Sequence, residues 1–236
     1  MLILKKTLWP DQGQPVLANR RRFIKYSGAA LAAGALIVAG CDDDDGSGPS
    51  PDTVNLGSGD VGVLNYAYAL EQLEAAFYAA VLQGSYYTGA SAEEKQILAD
   101  IEKHERAHAE FFKTAINSVA TAIPALEVDF SSVDFSSRNS VLSTAKTFED
   151  LGVAAYNGAG KLLANANYLL VAGKIVSVEA RHAAAIRSIL DSNPKSFAGD
   201  DVVDSNGLDK AMSPSQVLSA ASPFIITEID ASNLPG

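Results

Sequence analysis

Three histidines occur in the chain, His104, His108 and His182, and two of them stand three residues after a glutamate. With eleven glutamates in 236 residues, a given position carries Glu about one time in twenty, so two matches in three is an accident on the order of one in a hundred. Residues three apart on a helix are neighbours on one face. Glu105-x-x-His108 and Glu179-x-x-His182 therefore each offer a carboxylate and an imidazole to one point. Four such groups meeting in a helical core would be costly to bury without cations. The pattern demands helices, and it demands that they face one another.

The rest of the chain supplies those helices. Val61 to Leu82 carries Leu64, Tyr68, Leu70, Leu73, Phe77 and Leu82 at helical spacing without a proline, and Gly84 and Gly89 end it. Ser91-Ala92-Glu93-Glu94 is a capping box opening a helix to about Ala120. Residues 121–138 hold Pro124 and two Asp-Phe-Ser-Ser pieces without a helical period, which predicts a long crossing connection. A third helix starts near Asn139 or Ser140 and breaks at Asn157-Gly158-Ala159-Gly160. A fourth runs from about Leu163 to Leu190, with Asn193-Pro194 as its stop. Hairpin, long crossover, hairpin is the order of an all-α four-helix bundle over residues 61–192. The tail, 193–236, is expected to hold one short helix, capped by Ser213 with Pro214 in its first turn.

The two hairpins repeat. Glu71 is followed seven residues later by Tyr78, and Glu149 by Tyr156; seven residues is almost two turns, so each pair shares a face. Glu71, Tyr78 and Glu105-x-x-His108 form one half, and Glu149, Tyr156 and Glu179-x-x-His182 the other. The Glu-to-Glu steps, 34 and 30 residues, each fit one helical hairpin. Glu74, on nearly the same face as Glu71, is the alternate ligand: its step to Glu105 is closer to that of the second half, while the tyrosine offset favours Glu71. Tyr78 and Tyr156 are expected to pack near the core, where a hydrogen bond to a ligating carboxylate is compatible with packing.

This arrangement resembles the ferritin-like superfamily of carboxylate-bridged di-metal proteins, in which two helices give one Glu each and two give Glu-x-x-His. "NYAYALEQLEAAFY", "FEDLGVAAYNGAG" and "VEARHAAAIRSIL" are similar to the exported ferritin-like proteins sometimes called desiccation-related. The resemblance covers about residues 60–190, with 213–224 also similar. It implies a ferritin-like four-helix bundle with one long crossover and two iron ions, or iron with manganese, on Glu71, Glu105, His108, Glu149, Glu179 and His182. The first expectation for function is an oxidoreductase-type centre that oxidises Fe(II) or consumes dioxygen or peroxide. The alternative is a non-enzymatic, metal-stabilised protein of stress protection or scaffolding. The sequence is compatible with a homo-oligomer.

His104-Glu105-Arg106-Ala107-His108 also reads as the H-E-x-x-H of a zinc protease, with Glu105 as base rather than ligand. That reading needs a third ligand downstream. The next acid after Glu110 is Glu127, inside the Pro-bearing connection, and Glu71, Glu149 and Glu179-x-x-His182 are left unexplained. His104 is accordingly expected at the rim, with a contact behind the ligands as the alternative.

The N-terminal region reads as an export signal over residues 1–40. Arg20-Arg21-x-Phe23-Ile24-Lys25 resembles a twin-arginine signal, the uncharged run Tyr26 to Gly40 is short for a bilayer span, and Val38-Ala39-Gly40-Cys41 resembles a lipobox. The expectation is passage through the twin-arginine machinery and lipidation of Cys41, the only cysteine. The eighteen residues before Asn19 are long for such a signal, which leaves the start of translation open between Met1 and a position downstream. Residues 41–60, polar and rich in Gly, Ser, Pro and Asp, are expected to be a flexible tether. Asp42 favours the periplasmic side of the inner membrane. The formal charge of −10, with no basic stripe, argues against nucleic acid. Residues 1–40 hold six basic side chains and one acid, so the remainder, with 12 and 27, carries −15 and would depend on its acyl chain to stay at an anionic membrane.

Overall fold

The computed structural model describes residues 53–191 and 193–235. Arg20, Arg21, Cys41 and the expected tether as far as residue 52 lie outside the described residues. Four long helices form the body: α1 (Gly59–Gln83), α3 (Ala92–Asn117), α4 (Arg138–Ala159) and α5 (Ala166–Leu190). A short helix, α2 (Ser85–Gly89), turns the chain between α1 and α3, and α6 (Pro214–Ala221) lies in the tail. α1 packs along α3, and α4 along α5; contacts of α1 with α4 and of α3 with α5 close the bundle. The chain has the all-α ferritin-like topology with one long crossover. Among the described residues no helix is long and apolar enough to cross a membrane.

Side-chain caps fix where these helices begin. Ser91 Oγ accepts from the Glu94 backbone, and Glu94 in turn accepts from the Ser91 N–H, so both orphan donors are satisfied. Ser213 and Gln216 repeat the device at α6. The fourth helix starts at Ala166 rather than Leu163, because Asn165 caps it by accepting from Asn167 N and residues 160–162 form a single 3-10 turn.

The crossover, residues 118–137, has no helix and must satisfy its backbone otherwise. Gln72 does so twice, donating to Pro124 O and accepting from Leu126 N, while Asn65 accepts from Ile123 N. The Asp-Phe-Ser-Ser repeats explain themselves here. Asp129 and Asp134 cap tight turns by accepting from Ser131 N and Ser136 N, and the turns send Phe130 and Phe135 inward. There they join Phe77, Phe148 and Phe224 in an aromatic cluster of edge-to-face and tilted pairs, with Phe77 and Phe148 5.0 Å apart between ring centres and Phe148 and Phe224 4.8 Å apart.

The expected tether boundary changes. The tether does not extend to residue 60: β1 (Val54–Asn55) pairs in parallel with β2 (Ile229–Asp230), Leu56 is fully buried, and α1 is under way by Gly59. The partner strand lies 175 residues away, so nothing local announces it. α4 ends at Ala159, inside the expected Asn157-Gly158-Ala159-Gly160 break, and Gly158 has a further role. Its lack of a side chain serves close approach, since a Cβ there would lie 1.8 Å from Met212 O, and Met212 N donates to Ala154 O. The tail is thus strapped to the α4–α5 hairpin. Arg187, buried on α5, clamps Asp150 with two hydrogen bonds of 2.7 Å and Asp201 of the tail with 3.0 and 2.8 Å. Asp150 and Asp201 hold that guanidinium above its ordinary range, and Arg187 holds Asp201 well below the usual carboxylate range.

Candidate metal centre

Each long helix contributes to one level of the bundle core. α1 brings Glu71 and Glu74, α3 Glu105 and His108, α4 Glu149, and α5 Glu179 and His182. The five carboxylates are between 0% and 4% exposed. So much buried acid is tolerable only with compensation. Gly152 makes room for it: a Cβ there would stand 3.1 Å from Glu74 Oε1 and 3.6 Å from Glu179 Oε2.

The side chains sort into two overlapping groups. Glu71, Glu105, His108 and Glu179 place one ligand atom each within 4.8 Å of one another, and so do Glu105, Glu149, Glu179 and His182. Glu105 and Glu179 belong to both. His108 Nδ1 lies 3.0 Å from Glu179 and 3.2 Å from Glu71; His182 Nδ1 lies 2.8 Å from Glu105 and 3.4 Å from Glu149. Despite these distances, both Nδ1 atoms, both oxygens of Glu105 and of Glu179, and Oε2 of Glu71 and Glu149 are buried without a hydrogen bond. They stand side by side rather than donor to acceptor. Buried polar atoms without hydrogen bonds ordinarily have some other partner, and this donor set, carboxylate oxygens with two imidazoles, suits first-row divalent cations such as iron and manganese. On that test the residues fit a pair of metal ions.

The electrostatics describe the same crowding. Burial, then Glu179, raises Glu71 well above the usual carboxylate range; burial, then Glu105, does so for Glu74. Burial lifts Glu149 to about 8. Glu105 goes the other way: burial would raise it, but contact with His108 and His182 outweighs that and brings it to about 2. Burial opposes charge on both imidazoles, yet the glutamates around them push His108 and His182 up to about 12.

The tyrosines cross between the halves. Tyr78 of the first hairpin donates to Glu149 Oε1 of the second at 2.5 Å, and Tyr156 of the second donates to Glu71 Oε1 of the first. Burial, then the charge of the glutamate each one serves, holds both phenols well above their ordinary range, so they remain donors.

Every residue singled out as a ligand therefore comes to this level. Glu71 rather than Glu74 joins the first group; Glu74 is a fifth buried acid lying among the other four. His104 belongs to neither group and is exposed at the rim, but its Nδ1 lies 2.9 Å from His182 Nε2. Burial, then His182 and His108, holds His104 below the usual imidazole range. Gly152 and the crossed partners of the tyrosines were not legible in advance, because both depend on what faces a residue across the bundle.

Fold and site together define a four-helix bundle whose buried carboxylate–imidazole cluster could hold a metal ion. The family described as Ferritin-like domain matches residues 59–192, more than half of the chain. The chain belongs to that family. A comparison with curated proteins gives no match.

Proposed function

We propose that the cluster is a di-metal centre that takes up two iron ions, or iron and manganese, and acts on dioxygen, peroxide or Fe(II) itself. The observation that carries the reading is the double membership of Glu105 and Glu179, with His108 and His182 one to each group. In this reading Glu105 and Glu179 are shared, Glu71 and Glu149 close the outer sides, and each imidazole serves one ion. When bound, the pair of ions would supply the electrons that dioxygen or peroxide accepts. The chain's own part is to fix the donors and exclude water. Tyr78 and Tyr156 hold Glu149 and Glu71 by one oxygen each and leave the second free. His108, with its side chain 14% exposed, is the least enclosed of the six.

The same reading places the protein outside the cytoplasm, carried by the twin-arginine machinery and held by a lipid on Cys41 to the periplasmic face of the inner membrane, as Asp42 suggests. Its kinship with the exported, desiccation-related group rests on the sequence likeness described above. Twin-arginine export carries folded proteins, which fits a core loaded with metal before crossing.

The test is elemental analysis of protein purified without added metal, followed by assays of oxygen and peroxide consumption on wild type and on Glu105→Ala plus Glu179→Ala. Two bound first-row ions, with turnover lost in a variant that keeps its helical circular dichroism, is the expected result. Metal that raises the melting temperature without any consumption of oxygen or peroxide would assign the centre a structural role.

A further inference from the structure

His104 is the one histidine that the di-metal reading does not use, and its position is specific. His182 turns Nδ1 toward Glu105, Glu149 and Glu179, at 2.8, 3.4 and 3.8 Å. Nε2 is then directed away from the cluster, and His104 Nδ1 meets it at 2.9 Å, the two rings nearly parallel at 9° with centres 5.1 Å apart. An imidazole that gives its Nδ1 lone pair to a cation keeps its single proton on Nε2. His182 therefore donates and His104 Nδ1 accepts. A hydrogen bond of that kind fixes both the tautomer and the ring orientation of a ligand.

Among the described residues the other half has no such support. Aligning Glu105-x-x-His108 with Glu179-x-x-His182 brings His104 into register with Val178, whose side chain has nothing to accept with. The imidazoles also differ in enclosure, with side-chain exposures of 14% for His108 and 5% for His182. Two halves alike in their ligands are thus unlike behind them.

We propose, resting on the di-metal reading, that His104 is a positioning residue for His182 and makes the centre unequal, so that the position built on Glu105, Glu149, Glu179 and His182 binds its ion more tightly than the position built on His108. Removal of a hydrogen-bonding partner behind a metal-ligating histidine lowers affinity about 10- to 100-fold.

The experiment is an anaerobic titration of the metal-free full chain with Co(II), followed by calorimetry and by visible absorbance. Wild type is expected to fill in two unequal steps. His104→Ala is expected to weaken the tighter step about 10- to 100-fold and leave the weaker one in place. His104→Asn, whose Oδ1 sits where Nδ1 was, is expected to keep the tighter step within a few-fold; this restoration by a smaller, ringless side chain separates positioning from general loosening. Two ions bound with the same pair of constants in wild type and His104→Ala, or a loss confined to the weaker step, would overturn the proposal. Wild type that takes up no Co(II) would overturn the di-metal reading and this proposal with it.

Discussion

Loading the centre should expel protons, and the structure says how many. At pH 7 Glu149, lifted to about 8, and His108 and His182, pushed up to about 12, each hold a proton in the metal-free protein, whereas Glu105, at about 2, does not. Each must be deprotonated to act as a ligand. About three protons should therefore leave as two ions enter, with Glu71, also raised, adding to the count. The overall binding constant should accordingly rise by about three decades per pH unit near neutrality. Calorimetric titration with Mn(II) in two buffers of different ionisation enthalpy measures the release directly. Fewer than one proton released would refute the argument, because it would mean that the ligands are already ionised in the metal-free core. The same shifts bear on stability. The folded pKa of Glu149 lies above its ordinary 4.5 and those of His108 and His182 above 6.5. Their stabilising contribution is complete below those ordinary values and is lost as pH climbs toward the folded ones, by about 1.4 kcal/mol per pH unit for each group. The metal-free protein should melt lower at pH 8 than at pH 6, and the metal-loaded protein should not.

Two further outcomes follow from single contacts. Tyr78→Phe or Tyr156→Phe leaves a buried glutamate oxygen without its donor and should cost about 1–3 kcal/mol each in urea denaturation of the metal-free protein; a change below a few tenths would show that the phenol only fills space. Gly158→Ala forces the Met212 carbonyl away, and a helix-propensity gain of about 1 kcal/mol cannot offset that displacement. Limited proteolysis within residues 193–212 should accelerate, and an unchanged cleavage rate would refute the strap.

The bundle and its ligands were legible in the sequence because both rest on local rules. Glu105 and His108 share a helix face by spacing alone, and Ser91 with Glu94 announces a helix start within four residues. The Glu71–Glu74 ambiguity was real: both are buried at the site, and only the position of α3 and α5 decides which one joins a ligand group. Where the reading fell short, the cause lay across the fold. Leu56 is buried because a strand from the far end of the chain covers its neighbourhood. Gly158 lies in the stretch that ends its helix, as local propensity predicts, but nothing local shows the backbone arriving from residue 212. His104 stands at the expected rim, but nothing local shows which ligand it backs, a histidine 78 residues away.

The exchange of tyrosine hydroxyls between hairpins means that neither hairpin is chemically whole. A lone copy would carry a glutamate whose donor resides on another molecule, and it could complete its core only by finding a twin. Joining the two through the crossover turns that encounter into an intramolecular one, at an effective concentration on the order of millimolar. The assembly becomes insensitive to how dilute the protein is, and the linked halves are free to differ, as the lone histidine at position 104 shows they do.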